Sequence, residues 1–297
     1  MSDPTMVVPW LPEGRAVMLP GRGEVFARVH RHPDPSRPTV LLLHGWTASA
    51  DLQFFTAYRE LCEQYSLVAI DHRGHGRGLR AVVPFELEDA ADDAAALVRA
   101  LGIDHVVTVG YSMGGPISMH LARRHPGLVT GMVVQATALE WRATWAERFR
   151  WKTVRLLGPV LRSWAYPRWL RYGIMRLLGA GHELERFIPW IEAEIRRSDT
   201  LALVQAGRAL SRHDARPWAS SLRIPAASLI TTQDRLVRPR KQRQLADALH
   251  AYVLEMEADH IAVWQAPATY AQLTLALVDH LTGRLEAQQQ PPVAGVA

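Results

Sequence analysis

The run Thr39-Val-Leu-Leu-Leu43 sets apolar side chains one after another and ends at His44-Gly45. Successive side chains of a strand point to opposite faces, so a strand without polar alternation must be covered on both sides. That condition is met by a parallel sheet lying between two layers of helices. The same kind of run recurs along the chain, alternating with segments of helical periodicity: helix Leu52 to Glu63, strand Leu67 to Ile70, helix Leu87 to Leu101, strand His105 to Val109, helix Gly115 to Arg124 and strand Gly131 to Gln135. It resumes with strand Ala227 to Thr231, helix Pro239 to His250, strand Tyr252 to Met256 and a helix from Pro267 to Leu281. Strand–helix–strand repeats of this kind predict right-handed crossovers and a doubly wound α/β sheet.

Ahead of this, Ala16 to Leu19 and Glu24 to His30 flank the turn Pro20-Gly-Arg-Gly23 and predict a hairpin. Between the two alternating halves, from Leu139 to Asp214, the sequence predicts no strand. Helical segments such as Trp145 to Leu157 and Leu184 to Arg197 are interrupted at Gly158-Pro159, Tyr166-Pro167 and Gly179-Ala-Gly181. The expected organisation is a core formed by 1–138 and 215–285, a helical cap over 139–214, and a flexible tail over 286–297, where Gln288-Gln-Gln-Pro-Pro292 favours fraying.

A formal net charge of +5 raises the question of a polyanionic partner, but of 34 basic residues only Lys152 and Lys241 are lysine. An arginine bias of that kind more often reflects a GC-rich coding sequence, and no nucleic-acid motif accompanies it, so no nucleic-acid partner is expected. The charge is also uneven: 139–214 holds 14 basic and 8 acidic residues together with six of the ten tryptophans. The excess therefore belongs to the insert. A single cysteine, Cys62, excludes an internal disulfide, and no signal-peptide pattern or long apolar span is found, which together predict a soluble protein of the cytoplasm.

Chemistry enters at Gly110-Tyr-Ser-Met-Gly114, a G-x-S-x-G sequence between a strand and a helix. A sharp turn there pushes Ser112 out above the sheet. A serine hydroxyl needs a base, and the base needs a carboxylate to hold its tautomer. His260 in Glu257-Ala-Asp-His260 and Asp234 in Thr231-Thr-Gln-Asp234 each follow a predicted strand, and loops at the carboxyl ends of parallel strands converge on one edge of the sheet. Asp259 and Glu140 are rival acids; Asp259 is expected to turn its loop instead. The backbone N–H groups of Trp46 and Met113 are the expected donors to a developing oxyanion. His44 is read as bracing its own turn.

His44-Gly-Trp46, Asp71-His-Arg-Gly-His-Gly76, Gly110-Tyr-Ser-Met-Gly-Gly115 and the Asp234 and His260 loops together resemble the α/β-hydrolase family, in its serine-nucleophile, esterase-like branch. The resemblance implies a mostly parallel eight-stranded sheet, a helical cap inserted after the sixth strand and neither cofactor nor metal. It also implies a structural role for Asp71, Arg73 and His75. Arg77-Gly78 stands where relatives commonly place a serine, which affects the shape of that loop. With Ser112 rather than an aspartate at the elbow, the expected activity is carboxylesterase-like hydrolysis of a small or medium hydrophobic ester through an acyl-enzyme. A thioesterase, a carbon–carbon bond hydrolase and a non-catalytic binding relative share these motifs.

Trp141 and Trp145 are the expected substrate-pocket residues from the cap. The cations of Arg148-Phe-Arg-Trp-Lys152, Arg155, Arg168, Arg171 and Arg176 alternate with apolar residues at helical spacing. Two readings follow: a solvated outer face, or a surface for anionic substrates or an anionic lipid surface.

Overall fold

The computed structural model describes residues 6–153, 173 and 183–289. Trp164, Trp169, the cations from Arg155 to Arg176, the three expected breaks at 158–181 and the residues beyond 289 lie outside them.

One eight-stranded sheet organises the chain, in the order β1-β2-β4-β3-β5-β6-β7-β8. Its strands are β1 (Glu13–Leu19), β2 (Gly23–His30), β3 (Thr39–Leu43), β4 (Ser66–Ile70), β5 (Val106–Tyr111), β6 (Val129–Gln135), β7 (Ala226–Thr231) and β8 (Tyr252–Met256). β2 runs antiparallel to both β1 and β4, and β3 through β8 are all parallel. From β3 the chain steps to β4 on one side and then crosses back to β5 on the other side of β3, which creates the switch point at which carboxyl-end loops diverge and leave a crevice.

The apolar runs read as expected. Leu41 and Leu43 enter one buried cluster while Val40 and Leu42 enter the other, on the opposite face of the sheet. Val107 and Val109 of β5 join Val40 and Leu42, and Met132 and Val134 of β6 join Leu41 and Leu43. Each fully buried Val or Leu is worth about 1.5–3 kcal/mol relative to exposure, which is why polar alternation is absent from these strands.

The described helices are α1 (Ala50–Phe54), α2 (Tyr58–Cys62), α3 (Leu87–Ala100), α4 (Gly114–Arg124), α5 (Trp145–Thr153), α6 (Ile188–Ile195), α7 (Thr200–Arg212), α8 (Pro239–Ala248), α9 (Ala262–Gln265) and α10 (Pro267–Gln289). The single helix expected over Leu52 to Glu63 is instead two short ones. Ser49 caps the first, its Oγ accepting the Leu52 N–H at 3.2 Å, and the break after Phe54 lets the adjacent Phe54 and Phe55 both be buried. At the other end, α10 continues to Gln289, into the stretch expected to be a flexible tail, because Glu286-Ala-Gln-Gln289 are good helix formers and the Pro-Pro stop comes only at Pro291.

Between β6 and β7 the chain forms α5, α6 and α7, and α7 is a helix beyond those expected from the sequence. The chain leaves and re-enters the core side by side: Glu140 and Asp214 form an antiparallel bridge, and the Ala215 N–H donates to Leu139 O at 2.7 Å. Among the described residues no helix is long and apolar enough to cross a membrane.

Candidate active site

Ser112 follows β5 with φ of +51°, a left-handed conformation that a side chain adopts only when its surroundings enforce it. Those surroundings are two close approaches. A Cβ at Gly114 would collide with the Leu43 carbonyl oxygen, and one at Gly110 with the carbonyl of Gly114. With glycine at both positions, α4 starts directly against β5 and β3. The Ser112 N–H is anchored to Gln135 O at 2.8 Å, which leaves its side chain projecting over the carboxyl edge of the sheet.

The loops after β7 and β8 bring the other two groups to that edge. His260 Nε2 lies 3.0 Å from Ser112 Oγ, and His260 Nδ1 lies 2.8 Å from Asp234 Oδ2. With Nδ1–H donating to the carboxylate, Nε2 carries the lone pair that accepts the serine hydroxyl proton. Asp234 is itself held by four further donors. Its Oδ1 accepts the N–H groups of Leu236 and Val237 at 2.8 and 2.7 Å, and its Oδ2 accepts Thr231 Oγ1–H and Gln242 Nε2–H at 3.0 and 3.2 Å. Thr231 and Gln242 escaped the sequence reading; the only signal was their place at the end of β7 and on the buried side of α8. Tyr111 also contributes, donating its hydroxyl to the His260 carbonyl at 2.8 Å and fixing the height of that loop.

Both rival acids are otherwise engaged. Asp259 turns its loop by accepting the N–H groups of Arg235 and His260 at 3.0 and 2.7 Å. Glu140 pairs with Lys241 at 2.8 Å and accepts the Arg142 N–H. His44 is enclosed: its Nδ1–H donates to Gly45 O at 2.8 Å and its Nε2 accepts the His72 N–H at 2.9 Å. Burial, with His72 and His75 close by, holds its pKa well below the ordinary histidine value, so it stays neutral and braces the loop that carries Trp46.

Trp46 and Met113 flank Ser112 on the two loops expected to supply an anion site. Neither backbone N–H donates to an acceptor among the described residues. The Trp46 indole N–H reaches across to Leu203 O of α7 at 2.7 Å, tying this loop to the insert.

Ser112 and His260 open into a cavity of about 410 Å³. Trp46, Trp141, Trp151 and Trp264 wall it, with Leu52, Ile195 and Leu210 completing much of the apolar surface. Three of the four indole N–H groups are spent on backbone carbonyls: Trp46 on Leu203, Trp151 on Trp141 and Trp264 on Leu52. The fourth, that of Trp141, is buried with no partner among the described residues, and the rest of the wall is mostly ring surface. Among the described lining residues His260 is the only ionisable side chain apart from Tyr111. Trp141 lines the cavity. Trp145 does not: it lies on the outer side of α5, 78% exposed, and the residue of that helix that reaches the cavity is Trp151. Helical geometry explains the correction, since Glu147 and Trp151, one turn apart, form the inward face and turn Trp145 to solvent. Trp264 was discernible only as a tryptophan one helical turn after His260.

Among the described residues, no group of three or more His, Cys, Asp or Glu side chains could hold a metal ion.

Residues 38–163 match the family model described as alpha/beta hydrolase fold. The 2-(acetamidomethylene)succinate hydrolase of Mesorhizobium japonicum is 35% identical over 98 residues, 33% of this chain and 35% of that protein. The 3-oxoadipate enol-lactonase 2 of Acinetobacter baylyi is 24% identical across 70% of this chain and 76% of its own length. Among solved structures, an esterase from Exiguobacterium antarcticum superposes with a TM-score of 0.77 at 17% identity, covering 90% of this chain and all of that one. The chain has the α/β-hydrolase fold, and residues 38–163 are similar to the family of that name. It spans about a third of the length of the curated relatives that it matches at 35% identity or above.

Proposed function

We propose that this protein is a serine hydrolase that cleaves carboxylic esters of small or medium hydrophobic substrates through an acyl-enzyme. The observation that carries the reading is the hydrogen-bonded chain from Ser112 through His260 to Asp234, opening on a tryptophan-walled cavity with two unengaged backbone N–H groups beside the hydroxyl. Relatives named as esterases and an enol-lactonase support ester bonds as the target class.

In this mechanism Ser112 Oγ attacks the ester carbonyl as its proton passes to His260 Nε2. The carbonyl π pair moves onto oxygen, where the N–H groups of Met113 and Trp46 receive it. Asp234 stabilises the imidazolium. Collapse breaks the carbon–oxygen bond, and His260 returns the proton to the departing alkoxide. Water then repeats the sequence on the acyl-enzyme, with His260 again as base, releasing the acid and restoring Ser112. Preorganised N–H donors of this kind account for about 10²–10³ of rate each.

The cavity favours a neutral, apolar acyl or alcohol group, because its described lining is mostly aromatic and aliphatic and holds no arginine or lysine to repay the desolvation of an anion. Cys62 takes no part: it is a buried free thiol whose pKa burial pushes up to about 12, a state compatible with a reducing cytoplasm. The test is labelling by a fluorophosphonate probe together with turnover of p-nitrophenyl esters of increasing acyl length, with a thioester included. We expect Ser112 to be labelled and short to medium esters to be preferred. Folded protein that neither reacts with the probe nor turns over any ester would overturn the reading in favour of a binding protein.

A further inference from the structure

We propose that helix α5 is a docking face for an anionic lipid surface. On the outer side of this helix Trp145 and Phe149 lie one turn apart with their rings stacked, centroids 5.7 Å apart and planes inclined by 19°. They are 78% and 57% exposed, whereas Trp141 and Trp190 of the same insert are buried. Nothing among the described residues covers the pair.

Three cations frame it. Arg142, Arg148 and Lys152 are exposed, and none of them pairs with a carboxylate among the described residues. Arg148 is instead directed by two carbonyls, Arg142 O and Ala143 O, at 3.1 and 3.4 Å. Surface arginines elsewhere divide between the two states: Arg124, Arg212 and Arg216 each sit on a carboxylate at 2.6–2.8 Å, whereas Arg208, Arg223 and Arg240 have none among the described residues. The one acid of α5, Glu147, is turned inward and consumed by Lys241 at 2.9 Å. The exposed side of the helix thus offers unneutralised positive charge around an aromatic pair. Indole and phenyl rings suit the headgroup boundary, and flanking Lys and Arg suit anionic headgroups.

The same helix gives the face its use. Trp151, on the opposite side of α5, lines the cavity over Ser112. A bilayer held against Trp145 and Phe149 is therefore one helix thickness from the cavity, and lipophilic compounds dissolved in it have a short route inward.

The measurement is co-sedimentation of the full chain with phosphatidylcholine vesicles, with and without phosphatidylserine. Binding is read without turnover, so the result is independent of the ester chemistry. We expect partitioning to rise about tenfold with phosphatidylserine and to fall with added salt. Trp145→Ser/Phe149→Ser and Arg142→Gln/Arg148→Gln/Lys152→Gln should each lower it about tenfold at unchanged Tm, since all five side chains are exposed. Equal binding to both vesicle types, or wild-type binding by both variants, overturns the proposal. So does self-association that Trp145→Ser/Phe149→Ser abolishes while vesicles remain unbound, because the face would then belong to a second copy of the chain.

Discussion

Arg77 and Glu194 meet across the boundary between the core and the helical insert, with Arg77 Nη2 2.6 Å from Glu194 Oε1. Arg77 Nη1 also lies 3.2 Å from Asp51 Oδ2, and its guanidinium stacks over the Phe26 ring at 4.7 Å. One side chain from the loop after β4 thus neutralises two buried carboxylates, one on α1 and one on α6. Removing it leaves each with one cation, Asp51 with Arg28 at 2.7 Å and Glu194 with the more exposed Arg197 at 3.0 Å.

Arg77→Ala should therefore destabilise the fold by about 1–2 kcal/mol, read as a lower urea midpoint, because two buried carboxylates each lose one of their two charged partners. Arg77→Met combined with Glu194→Gln should recover part of the loss. An unchanged midpoint in Arg77→Ala would show that Arg28 on Asp51 and Arg197 on Glu194 suffice without it.

Asp234→Asn should lower kcat by about 10⁴ with little change in Tm, since the amide would offer His260 the wrong hydrogen-bonding partner and present Nε2 to Ser112 as a donor. Glu140→Gln is the comparison. It should leave kcat within about twofold if Asp234 is the acid that serves His260, its own contact being to Lys241. The reverse ranking would move the role to Glu140.

Trp151→Ala should shift the acyl-length optimum upward rather than abolish turnover. The indole is one wall of the cavity and stands 5.7 Å from Trp46 and 6.2 Å from Trp141 by ring centroids, so its removal lengthens the space beyond Ser112. The kcat/KM series over chain length reports this directly. A uniform fall for every ester, with no change in preference, would place Trp151 in a purely structural role.

Acid should destabilise the protein from about pH 6.5 downward. Burial lowers the pKa of His72 to about 3, of His75 to about 4 and of His213 to about 3, and it depresses His44 as well. In that window the unfolded chain takes up protons that the folded chain refuses, so stability present above the unfolded value of 6.5 is lost as pH falls. Each such proton costs about 1.4 kcal/mol per pH unit. Asp71 acts in the opposite sense, its carboxyl pushed up to about 7 by burial and by nearby Asp51, and it offsets roughly one histidine. The urea midpoint should therefore drop clearly between about pH 7 and about pH 5, and a flat profile would count against neutral histidines in the core.

Much of this arrangement is legible in the sequence. Unalternating apolar runs such as Thr39–Leu43 can be satisfied only by burial on both faces, so the parallel sheet followed from residue type and spacing alone. Ser112, Asp234 and His260 were identifiable because each follows a strand, and parallel topology obliges such loops to converge. Trp145 and Arg77 were not legible in the same way. Which side of α5 faces the cavity depends on how that helix is anchored, and Glu147 is held by Lys241, nearly a hundred residues away. Arg77 looked like a local change of loop shape, and its partner Glu194 lies 117 residues on. Local periodicity determines what an element is and which residues share a side of it. Which side is turned inward, and which distant charge meets which, is decided only by packing, because burial and ion pairing depend on separations in space that short-range sequence pattern does not encode.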